Sequence, residues 1–242
     1  MYKTWANQDS DWKSLYTIGG AAALLQLAAI LAMILVQAVL GPKPANAEEA
    51  FVIQQSSYLA VMLRGDFLLL FLIGAYLGTF PALFVALRQI DMVAVFFATL
   101  FTLMAVTLAF ATEPTFSLLH LGSQYATATS QAARAQLMAA GEAIIAANGW
   151  NSSAGYMTGI LLQGGGVIIS LAMLRSKEFS KVTAIAGLLG NAFDLVQHIL
   201  HPFAPSLSAT IQMVMGPFYL VWFPMLARDL FRLGTALQKL ER

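Results

Sequence analysis

The run Asn191–Phe203, NAFDLVQHILHPF, sets Asp194, His198 and His201 at i, i+4 and i+7 in an otherwise apolar stretch. At roughly 100° per residue these side chains share one helical sector about 60° wide. Asn191 stands at one margin of the sector and Gln197 at the other. An acid and two imidazoles on one stripe could pass protons, bind a polar ligand or hold a metal. The chain has three histidines, and two of them lie here. It has no cysteine, which excludes disulfides, thiolate zinc sites and a cysteine nucleophile.

The elements that must carry this stripe are membrane helices. The chain is 59% hydrophobic and 10% charged over 242 residues, against about 25% charged in a soluble domain. The formal net charge of +1, with no basic patch, predicts no nucleic-acid partner. Six apolar segments, at about 15–40, 66–88, 92–112, 153–174, 182–203 and 208–230, are each long enough to cross about 30 Å of hydrocarbon as helices. Ala45-Asn46-Ala47 follows the first segment in the manner of a signal-peptidase site. The apolar run Ile18–Leu40 is longer than an ordinary signal core, so it is read as the first span. The fold class expected is an all-α six-helix transmembrane bundle, a single membrane domain over residues 1–242, with amphipathic helices on the extracytoplasmic side.

Lys and Arg give the orientation. Ten of them (Lys3, Lys13, Arg88, Arg175, Lys177, Lys181, Arg228, Arg232, Lys239 and Arg242) fall on one side, and three (Lys43, Arg64 and Arg134) on the other. Both termini are therefore expected in the cytoplasm, in a plasma or inner membrane. Trp12 and Tyr16 would mark the inner interface, and Trp150 and Tyr156 the outer one. Two outer links, 41–65 and 113–152, are long. In the second, Leu137, Met138, Ile144 and Ile145 form an apolar stripe, with Gln131, Arg134, Glu142 and Asn148 facing elsewhere. That pattern predicts an amphipathic helix, lying on the outer leaflet or capping the bundle. Residues 50–62 could form a second such helix or extend the second span. Asn151-Ser152-Ser153 fits a glycosylation sequon and is read as an incidental turn.

Small residues punctuate the spans. Gly74 and Gly78, Gly155 and Gly159, the triple Gly164–Gly166, and Gly187 with Gly190 predict close helix approach. The triple glycine could also loosen its helix or leave room for a ligand. Pro81, Pro217 and Pro224 can kink spans two and six.

A carboxylate facing lipid would cost several kcal/mol, so the Asp194 stripe is expected to face the bundle interior or a wet cavity. Asp194 lies eight residues before Pro202, about 12 Å below the outer end of its helix. Arg64, Asp66, Glu113 and His120 gather at the same outer level. Three readings follow. As a structural network, Asp194 would bond His198 or pair with Arg64 and tie spans two and five. As a cavity, the group Asp194, His198, His201, Asn191, Arg64, Asp66, Glu113 and His120 would bind a lipid or small amphiphile. As a metal site, His120, His198 and His201 with Asp194 or Glu113 would offer zinc three imidazoles and a carboxylate, and the bound water could hydrolyse an amide or ester. HxxH alone is a loose pattern, and nothing like HExxH is present. Haem ligation by two of the histidines is allowed by residue type and ranks below zinc.

Three stretches carry a resemblance: RGDFLLLFLIGAYLGTFPALFVALR at 64–88, ARAQLMAAGEAIIAANGW at 133–150, and LRSKEFSKVTAIAGLLGNAFDLV at 174–196. Together they resemble a bacterial family of six-span membrane proteins known as domain of unknown function 4386. The resemblance implies a six-helix bundle in a bacterial cytoplasmic membrane and no particular activity. Asp66 and Asp194 fit its pattern, whereas the His198/His201 pair is not a feature it implies. The functional expectation is a non-enzymatic multi-pass protein, free of cofactor, with a polar cavity in its outer half that binds a lipid or small amphiphile, or an accessory subunit of another membrane protein. A zinc-dependent intramembrane hydrolase and a small-molecule transporter are the alternatives.

Overall fold

The structure is a computed structural model that describes residues 12–147 and 152–240, the side chains of 237–240 aside. Lys3, Asn148, Trp150, Asn151 and Arg242, and the side chain of Lys239, lie outside the described residues. Eleven helices are described: α1 Lys13–Leu40, α2 Ala47–Ser56, α3 Tyr58–Arg64, α4 Phe67–Gly74, α5 Tyr76–Leu87, α6 Met92–Thr112, α7 Thr115–Thr127, α8 Gln131–Ala147, α9 Ser153–Arg175, α10 Lys181–Leu200 and α11 Pro205–Leu240. Among the described residues there is no strand. Six helical stretches are long and apolar enough to cross a membrane: α1, α4 with α5, α6 with α7, α9, α10 and α11. The chain is a multi-pass membrane protein, an all-α six-helix bundle.

The spans close a ring in chain order. Span one (α1) packs on span two (α4–α5), two on three (α6), three on four (α9), four on five (α10), five on six (α11), and six back on one. The solid part of the bundle is built on Phe80, Leu83, Leu87, Ile169, Met173, Trp222, Phe223, Leu226 and Leu230, all fully buried.

Four helices cap one end. Span three does not stop at the bundle: after Thr112 the chain steps sideways at Glu113-Pro114 and continues as α7. The residue before a proline is driven out of the α region by the ring, and Glu113 is extended at φ −68, ψ 123. Phe51 of α2 is fully buried in the cap, with Ala47, Ala50, Val61 and Leu119, and Met138 and Ile145 of α8 pack onto this cluster. The predicted amphipathic helix thus caps other helices. Asn46 opens α2 by accepting from Glu49 N at 2.8 Å, and Glu142 reaches from α8 to take the Ala47 N–H at 2.8 Å. Such contacts satisfy donors that a helix start leaves open.

Two buried polar contacts mend the bundle where its backbone is irregular. Span two is interrupted at Ala75, between α4 and α5. Gln26 of α1, fully buried, accepts from Thr79 Oγ1 at 3.1 Å and donates to the Leu72 carbonyl at 3.5 Å across that break. Replacing Gln26 by Leu is expected to lower stability by about 1 kcal/mol, the usual net worth of such a contact. The thermal unfolding midpoint in detergent measures it, and a midpoint at or above wild type would contradict the bridging role. At the uncapped end Asp229 of α11, 1% exposed, accepts from Ser180 N at 2.9 Å and Thr183 Oγ1 at 2.6 Å at the start of α10.

Candidate functional site

The polar stripe of α10 is set by gaps in its neighbour. His198 lies against Gly159 of α9, and Asn191 against Gly166; a Cβ at either glycine would collide with the facing side chain. The two antiparallel helices match slot to side chain at the same spacing, seven residues on each. Gly165 receives Thr102 of span three, 2.6 Å from where its Cβ would stand. The triple glycine is therefore chiefly a packing surface turned toward two helices at once, while Gly164 meets nothing within 4 Å.

With the backbones this close, α10 delivers Asp194 to the bundle interior, 5% exposed. Its Oδ2 accepts from Tyr219 Oη of α11 at 2.9 Å, and its Oδ1 from Gln197 Nε2 at 2.7 Å. His198 Nδ1 stands 3.1 Å from Asp194 Oδ1 and 2.9 Å from the Asp194 carbonyl oxygen. Nδ1 faces these two acceptors and also a donor, Gln197 Nε2 at 3.0 Å, so either neutral tautomer finds a partner there. Ser208 fixes Gln197 by donating to its Oε1 at 2.9 Å. Tyr219 Oη is also 3.0 Å from Gln163 Oε1 and 3.4 Å from Asn191 Oδ1. Asn191 cannot reverse its amide cheaply, because its Nδ2 donates to the Gly187 carbonyl at 2.7 Å. One hydroxyl hydrogen thus faces three oxygens, and a carboxylate is the strongest acceptor among them.

This cluster forms the floor of a cavity of about 470 Å3 that all six spans line. The walls are apolar: Ile30 and Met33 from span one, Leu69 and Ile73 from span two, Leu162 from span four, Met215 from span six. Tyr76, Gln163, Asp194, His198, Tyr219 and Phe223 line its deep end. Tyr76 and Gln163 are each 5% exposed. The Tyr76 hydroxyl and the Gln163 amide nitrogen have no hydrogen-bond partner among the described residues, and Thr158 Oγ1 on the wall has none either. Toward the cap the lining ends in Lys43, Asp66, Glu113 and Gln212. Lys43 and Asp66 form an ion pair there. Below the floor the bundle is filled by the fully buried Phe80, Leu83 and Trp222.

The other residues singled out from the sequence are dispersed. Arg64 does not pair with Asp194. Its Nη2 bonds Glu49 at 3.1 Å and its Nε the Pro42 carbonyl at 2.8 Å, tying the link after span one to the cap. Glu113 borders the cavity but also accepts from Thr115 N at 2.9 Å at the step between α6 and α7. His120 is exposed on α7, its Nε2 3.2 Å from Gln124. His201 ends α10 with its Nδ1 3.5 Å from Ser208 Oγ, and it is not among the cavity-lining residues. Among the described residues no three His, Asp or Glu side chains converge as a metal would need. The set His120, His198, His201 and Asp194 is therefore not assembled. Sequence reasoning missed Tyr76, Gln163 and Tyr219. No family model, curated protein or solved structure matches the chain.

Proposed function

We propose that this chain is a cell-membrane binding protein, with both termini in the cytoplasm and the cap outside, whose cavity takes up a lipid or small amphiphile from the outer side. One observation carries the reading: a cavity of about 470 Å3 with apolar walls, a hydrogen-bonding floor around Asp194 and a charged rim. That volume lies in the range of about 300–1,000 Å3 typical of small-molecule sites. The orientation rests on the basic residues at the uncapped end, and the cell-membrane assignment is also what the resemblance to the bacterial six-span family implies. Capture of a ligand for a partner protein, as an accessory subunit, uses the same cavity.

The test is co-purification. The protein is isolated in a mild detergent and its bound small molecules are extracted and weighed by mass spectrometry, beside a Leu162→Trp variant that fills the cavity. An amphiphile enriched over the bulk lipid and lost from the variant is expected. No enrichment, or enrichment that survives the filled cavity, would overturn the reading. A second reading, transport of the same ligand, draws on the one-residue irregularity of span two at Ala75, whose backbone stays α-helical, next to the floor residue Tyr76. Interrupted helices recur at transporter sites. Uptake of the co-purified ligand into proteoliposomes would separate carrier from receptor.

A further inference from the structure

The charge of the lining narrows the ligand. Leaving His198 aside, four cavity residues are of the acidic or basic types charged at neutral pH: Lys43, Asp66, Glu113 and Asp194. One ammonium against three carboxylates leaves a formal charge of −2. Lys43 is held by Asp66 at the rim, so its charge is already matched. Beside Asp194 stands no ammonium or guanidinium among the described residues, only the imidazole of His198, 3.1 Å from Oδ1. The other side-chain partners of Asp194 are Tyr219 and Gln197. A carboxylate inside a membrane protein is ordinarily balanced by a partner charge or a pathway.

Two further features point the same way. Three aromatic rings stand beside Asp194 on the floor. Tyr219 stacks on Phe223 at 5.6 Å between centroids, and Tyr76 meets Phe223 edge-on at 6.5 Å. Ring faces attract cations, most strongly where water is excluded. The floor also offers acceptors: the Asp194 carboxylate, Gln163 Oε1 and Asn191 Oδ1 face the single hydrogen of Tyr219, beside the unpartnered Tyr76 hydroxyl and Gln163 amide nitrogen. A ligand that brings N–H donors serves those acceptors. A ligand that brings a carboxylate or phosphate could take the free donors, but it meets the Asp194 carboxylate as a like charge.

We infer that the cavity binds an amphiphilic organic cation, an alkylammonium whose charged end descends to Asp194 among Tyr76, Tyr219 and Phe223 while its chain lies along Ile30, Met33, Leu69 and Leu162. This rests on the cavity reading above and names its ligand class. The orientation is the reverse of a bilayer lipid's, because the polar end goes deepest.

The experiment offers three probes with the same tail. Decylamine, protonated at pH 7, is mixed in equal amounts with decanol and decanoate and presented to the full chain in a neutral detergent. Native mass spectrometry counts which is bound. Decylammonium is expected to occupy the protein at least about tenfold more than either competitor, a factor worth about 1.4 kcal/mol. Asp194→Asn should remove the preference, and Leu162→Trp should remove binding. Equal or better occupancy by decanol or decanoate in the wild-type protein overturns the inference with no variant needed. If those neutral or anionic probes bind and Leu162→Trp excludes them, the cavity reading stands and the cation inference alone falls. If no probe is displaced by Leu162→Trp, both fall. An Asp194→Asn protein that folds and still prefers decylammonium also overturns it.

Discussion

Gly159→Ala should lower the stability of the bundle by about 1–3 kcal/mol, the range for overpacking a filled interior. One added methyl group lands on the imidazole of His198, which is held at Asp194 on the edge of the cavity. To make room, His198 must leave Asp194 or the two helices must part. The second outcome would also loosen Asn191 from Gly166, one slot further along. The origin of the loss is testable by a cycle. His198→Ala removes the obstacle, so Gly159→Ala in that background is expected to cost nearly nothing, and the coupling between the two changes should be large. Thermal unfolding of the four proteins in one detergent measures it. Additive effects, or a Gly159→Ala protein as stable as wild type, would mean that the slot does not set the position of His198.

The second large effect is expected at the opposite end of α10. Asp229→Ala removes the acceptor of Ser180 N and Thr183 Oγ1 and leaves both donors without it at a helix start. It also leaves Arg232, 3.8 Å away, without its carboxylate. Charged hydrogen bonds are worth more than neutral ones, and an anion at a helix N-terminus adds to them. A loss of about 2–4 kcal/mol is expected. Asp229→Asn keeps one acceptor oxygen and should recover part of it. Asp194 is thirteen residues further along the same helix, about 20 Å away. Ligand binding by the fraction that remains folded should therefore be unchanged. Asp229→Ala with wild-type stability would refute the capping role, and lost binding in folded protein would show that the two ends of α10 are coupled.

The spans were readable because lipid imposes long apolar helices, and the predicted segments match the helices to within a few residues at most ends. The inward turn of Asp194 was readable for the same reason: burying a carboxylate has few solutions in a membrane. The partners of Asp194 were not readable from local pattern. Tyr219 and Tyr76 look like any aromatic residue in an apolar run, and only their position, mid-span instead of at an interface, sets them apart. Gln163 stands beside three glycines, which drew the reading toward packing. The cap explains the opposite error. Counting residues puts Arg64 and His120 at the outer level of Asp194, yet both stand on cap helices beyond the cavity rim, with Arg64 turned to Glu49 and His120 outward. Counting residues gives depth only along a continuous span, whereas the placement of cap residues and the direction of a side chain depend on tertiary packing.

The closed ring of spans has a consequence for biosynthesis. Helices leave the ribosome in order, and the contact between the first and the last is the only one between neighbours in the ring that is not also between neighbours in the chain. Until α11 arrives, α1 lacks one flank, and Asp194 has neither Tyr219 nor the shelter of Phe223. Five inserted spans therefore hold an open arc with a carboxylate turned toward lipid or toward the insertion machinery. The joining of α11 closes the circle and supplies Tyr219 and Phe223 to the floor, so the cavity is whole only once that helix is in place.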